Sequence, residues 1–94
     1  MKLSEAIRQG IPLVGDNSLG WFSCAAGAAW AGVHGHMLTW PEYLGLQHNY
    51  GGSIEKAIAD ACGWPHEALR KIVDLHSDSM TREACADYAE LQGW

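Results

Sequence analysis

The stretch Ser23-Cys24-Ala25-Ala26-Gly27-Ala28-Ala29-Trp30-Ala31-Gly32 decides how this chain is read. With Trp21, Phe22 and Val33 it forms an apolar run that only Ser23, Gly27 and Gly32 interrupt. Thirteen residues are too few for a hydrocarbon core, which needs about 20 in helical form. The run therefore predicts a buried central helix with Ser23 as its N-cap. Side chains this small let neighbouring helices come close. Each glycine costs a helix about 1 kcal/mol, so close packing has to offset it. His34-Gly35-His36 is read as the loop that leaves this helix.

Working outward, the rest of the chain reads as shorter helices around that centre. Ser4 and Glu5 open the first, Leu3, Ala6 and Ile7 share a face, and Gly10 followed by Ile11-Pro12 reads as its end. Turn-forming residues fill the loop at 11–22. Thr39-Trp40-Pro41-Glu42 is a capping box for a third helix through Leu46 or Gln47. Ser53 caps a fourth, in which Ile54, Ala57, Ile58, Ala61 and Cys62 follow helical spacing until Gly63 stops it. Pro65 opens a fifth, with Ala68, Leu69, Ile72, Val73 and His76 along one side. Glu67–Lys71 and Arg70–Asp74 form four-residue pairs on its other side. Thr81 or Ser79 caps a last helix that turns Ala84, Cys85, Tyr88 and Leu91 inward and Arg82, Glu83, Asp87 and Glu90 to water, before Gly93 and Trp94. No stretch alternates with period two, so strands have no support. The expected fold is all-α: a compact orthogonal bundle of five to six short helices around a small-residue central helix, with residues 1–94 as a single domain.

Composition narrows the function classes. Hydrophobic residues make up 48% and charged residues 18% of the 94, a balance that supports a packed core. The net charge is −5, with only six Lys and Arg scattered along the chain. Phosphate neutralisation needs clustered cations, so nucleic acid and anionic membranes are disfavoured as partners. A helix-turn-helix made of the last two helices would present three acids and one arginine over residues 82–90, and phosphate would repel it. Three widely spaced cysteines make no disulfide framework and fit a reducing cytoplasm. Glu5 falls where a signal peptide would continue its apolar segment, so no export signal is expected.

Two segments carry a resemblance. Lys2-Leu3-Ser4-Glu5-Ala6-Ile7-Arg8 with Gly10, and Ser23-Cys24-Ala25 with Gly27-Ala28-Ala29, resemble the opening of small proteins found in bacteriophage and prophage genomes. Ile72-Val73-Asp74-Leu75, Thr81-Arg82-Glu83 and Ala86-Asp87-Tyr88 are similar to their last two helices. The resemblance covers about half the chain and implies a phage or prophage accessory protein, without assigning any catalytic residue.

Four kinds of site compete. His34, His36 and Cys24 are candidate metal ligands, although their spacing matches no established zinc pattern. Cys24 at a helix start, with His34 or His36 as base, would be a nucleophile, but its neighbours are apolar and a reactive thiol needs a polar, exposed setting. Gly51-Gly52-Ser53 offers free amides to an anion, as nearly every helix start does, and Glu55 opposes it. The five tryptophans carry more information. Trp21 and Trp30 are expected to fill space beside the small-residue helix, while Trp40, Trp64 and Trp94 stand at helix edges. With Tyr43 and Tyr50 they form a candidate aromatic binding surface. The expectation is a cofactor-free, non-enzymatic module that binds a host or phage protein in the cytoplasm, one version being an inhibitor of a host defence protein, with a homodimer open. The alternative is a small metal-stabilised structural protein.

Overall fold

Glycine explains the first contact of the fold. In a computed structural model describing residues 1–15, 22, 24–49 and 53–94, helix α1 (Leu3–Val14) lies antiparallel against α2 (Ala25–His34). A Cβ at Gly10 would overlap the Ala28 carbonyl oxygen and stand 2.9 Å from the Gly32 nitrogen. Conversely, a Cβ at Gly32 would overlap the Ala6 carbonyl. The two backbones thus meet through Ala6-x-x-x-Gly10 on one helix and Ala28-x-x-x-Gly32 on the other. Gly10 therefore does not end α1, as its position before Ile11-Pro12 implied; it lies inside the helix and makes room for α2. Pro12 also lies inside α1, two residues before the helix ends at Val14.

Every residue of α2 from Ala25 to Ala31 is buried. The cap beside the helix is Cys24, whose sulfur accepts the Gly27 amide at 3.5 Å; Ser23, the expected cap, lies outside the described residues. The helix also extends past Gly32 to His34, and Gly35 closes it in the left-handed region at φ 81°.

The other helices are α3 (Trp40–Asn49), α4 (Ile54–Cys62), α5 (His66–Ser77) and α6 (Arg82–Leu91). Six helices and no strand are found among the described residues, so the chain is an all-α bundle. One main core draws Leu3, Ala6 and Ile7 from α1, Ala29 and Trp30 from α2, Ile54 and Ile58 from α4, Leu69 and Ile72 from α5, and Cys85, Ala86 and Ala89 from α6. In α4 the inward set is Ile54, Ala57, Ile58 and Ala59; Ala61, expected inside, is exposed. In α6 the buried stripe is Arg82, Cys85, Ala86 and Ala89, so Arg82 faces in and Leu91 is 84% exposed, the reverse of both expectations. On the side toward α1, Arg8 reaches Asp87 at 2.8 Å and Glu90 at 2.5 Å, and Leu91 stands outside.

Two helices end alike. The Trp64 amide donates to the Ala59 carbonyl at 2.9 Å, and the Trp94 amide to Ala89 at 2.9 Å, with Gly63 and Gly93 both at φ 79°. Each is a Schellman-type turn in which glycine supplies the left-handed step and the next residue folds back. Both tryptophans then hold the start of α1. Trp64 Nε1 donates to the Met1 carbonyl at 3.0 Å, and the Trp94 carbonyl accepts the Ser4 amide at 3.3 Å, one of the helix-start amides that lack an intrahelical partner.

Candidate functional site

The exposed aromatic groups gather at the start of α3. The capping box read from the sequence is present: the Thr39 amide and hydroxyl donate to Glu42 Oε1 at 3.0 and 2.7 Å, and the Glu42 amide donates back to Thr39 Oγ1 at 3.4 Å. This turn sets Trp40 and Tyr43 three residues apart on one face of the helix. Their rings stack at 5.3 Å with an interplanar angle of 13°. Phe22 completes the cluster, 5.9 Å from Trp40 and 5.3 Å from Tyr43. Trp40 remains 60% exposed, and Met37 and Leu44 nearby in the chain are each 44% exposed. Hydrophobic collapse has left this face uncovered.

On its rim, His36 Nε2 lies 3.2 Å from both Glu42 oxygens. Partial desolvation works to raise the Glu42 pKa, but the hydrogen bonds from Thr39 and His36 outweigh it and hold the carboxyl below its usual value. The group is therefore a fixed negative charge beside the rings at neutral pH.

The remaining aromatic candidates go elsewhere. Trp64 is only 8% exposed and belongs to the core, and Trp94 is half-buried against Tyr88 at 6.0 Å. Both are occupied in holding α1, as described above. Tyr50 and Trp21 lie outside the described residues. Phe22 is the member that the sequence does not single out, since it reads there only as part of the apolar run that leads into α2.

Cys24 is held away from the two candidate histidines, whose rings meet edge to face at 6.4 Å. Cys24 and His34 flank opposite ends of α2, and ten residues of helix separate them by about 15 Å. His34 stacks on Trp30 at 3.8 Å with its Nδ1 donating to the Trp30 carbonyl at 2.9 Å, while His36 turns to Glu42. Among the described residues, no three His, Cys, Asp or Glu side chains are grouped to hold a metal ion. Cys24 also lacks the setting of a nucleophile. Burial pushes its thiol pKa up, against the smaller opposing effect of the α2 amides, whereas a reactive cysteine needs it lowered. Burial likewise pushes Cys62 and Cys85 up to about 11.

Arg70 illustrates a further difference. It reaches across to Glu55 of α4 at 2.7 Å, in addition to Asp74 of its own helix at 3.5 Å. Lys71, expected beside Glu67, lies over the Tyr88 ring at 6.0 Å. These residues tie α4, α5 and α6 together at the surface. No helix among the described residues is long and apolar enough to cross a membrane. Compared with protein-family models, with curated proteins and with solved structures, the chain matches none.

Proposed function

We propose that this chain is a non-enzymatic protein-binding module that docks through the face formed by Phe22, Trp40 and Tyr43. The observation that carries the reading is a cluster of three mutually contacting aromatic rings, one of which, Trp40, is 60% exposed. Rigid aromatic side chains contribute large contact area at small entropic cost, which is why they dominate protein interfaces. Met37 and Leu44 extend the apolar area, and Glu42 supplies a charged edge. The resemblance of the chain's two ends to phage and prophage proteins supplies the setting: an accessory protein acting in a bacterial cytoplasm on a host or phage protein. Inhibition of a host defence protein is the version of this reading that an acidic protein with an aromatic face best suits.

The test uses a photo-crosslinking residue placed at position 40 or, as a control, at the still more exposed position 91, in lysate of the bacterial host. A single partner trapped from position 40, absent from position 91 and lost on Tyr43→Ala, is the expected result. Equal trapping from both positions would overturn the reading.

A further inference from the structure

The amino end of α2 is held by a group that no part of the docking face uses. The Ala25 amide donates to His76 Nδ1 of α5 at 3.4 Å. An imidazole nitrogen accepts only when it is unprotonated, so this contact places the ring proton on Nε2 and requires His76 to be neutral. The charges around it favour the same state. The positive end of the α2 dipole points at the ring from one side. From α6, the guanidinium of Arg82, itself only 7% exposed, lies within electrostatic reach of both His76 and Cys24.

Among the described residues, the other titratable groups near the ring on the packed elements do not reverse this. The thiols of Cys24 and Cys85 are both shifted upward by burial and carry no charge at neutral pH. The carboxylates of Asp74 and Asp78 on the His76 segment and of Glu83 on α6 belong to exposed residues, where water screens them.

We propose that His76 is an acid-operated pin: as a neutral ring it secures the first turn of α2, and on protonation it releases that turn. A protonated ring would set a donor against the Ala25 donor and a positive charge beside Arg82. The strain falls on Cys24 and Ala25, the cap and the first residue of α2. Burial first, and Arg82 second, place the His76 pKa below the ordinary imidazole value of 6.5. The sign follows. A base whose folded pKa is depressed contributes stability above its unfolded pKa and loses that contribution as pH falls through the folded value.

A proton and nitrogen NMR titration of the whole chain from pH 8 to pH 5 tests this. The His76 ring should titrate with a midpoint below 6.5, and the Ala25 amide should shift with the same midpoint. In parallel, the melting temperature of the unaltered protein should fall more steeply over that range than that of His76→Gln, by a few degrees. The other four histidines are common to both proteins. A His76 midpoint at or above 6.5, an Ala25 amide that ignores the titration, or parallel melting slopes would each overturn the proposal. Should His76→Gln not fold, the titration of the unaltered protein decides alone.

Discussion

The seam between α1 and α2 and the face of α3 put opposite kinds of side chain to opposite uses. In the seam, glycine and alanine bring two backbones into contact and the surrounding side chains are fully buried. On α3, the larger apolar residues Trp40 and Leu44 stay in water, and no residue from Trp40 to His48 is fully buried. Small residues let the two backbones of this seam approach closely, while Trp40 and Leu44 on α3 stay exposed, as the proposed docking face requires.

The comparison can be broken most forcefully at its glycines. Intrinsic propensity alone would make Gly10→Ala or Gly32→Ala stabilising by about 1 kcal/mol. Each new methyl instead meets a backbone carbonyl that cannot rotate away, so each single change should cost about 3 kcal/mol, and the pair should abolish the cooperative thermal transition. A rise in melting temperature for either single variant would show that the helices are not in contact there.

Next comes Trp64→Ala, which empties a buried site and orphans the Met1 carbonyl; it should lower the unfolding free energy by about 3 kcal/mol in denaturant titration. Thr39→Ala removes the hydroxyl of the capping box and should cost about 1 kcal/mol, a smaller loss at the molecule's edge. Smallest of all is Trp40→Ala, which should change stability by less than about 0.5 kcal/mol, as expected of an exposed residue, while abolishing partner capture. A large destabilisation would make Trp40 a structural residue and sharpen the boundary between the two regions. The thiols give a kinetic version of the contrast. At pH 8, Cys85, fully buried with its pKa near 11, should react with a thiol reagent only as fast as the fold opens.

The sequence disclosed the helices whose signals are local. The α3 capping box, the glycine stop of α4 at Gly63 and the Thr81 cap of α6, whose hydroxyl accepts the Ala84 amide at 3.0 Å, all depend on residues within one turn. It hid whatever depends on a second element. Gly10 beside Ile11-Pro12 carries every local mark of a helix end, and only the carbonyl of Ala28 across the seam explains why the helix continues. Leu91 is more hydrophobic than Ala86 or Ala89, yet α6 turns its small residues inward, where the helix packs closely on its neighbours. The candidate site divides the same way. Trp40 and Tyr43 were legible through helical spacing, whereas Trp64 and Trp94 resemble them in sequence but fold back over glycine turns onto α1.

Amide hydrogen exchange compares the two regions within a single experiment. If the small-residue helix is the centre, the amides of Ala28 to Ala31 exchange only when the whole molecule unfolds, while those of Tyr43 to Leu46 exchange by local opening, at least tenfold faster at the same pH. Equal protection in both segments, or faster exchange in α2 than in α3, would contradict the architecture on which the docking face depends.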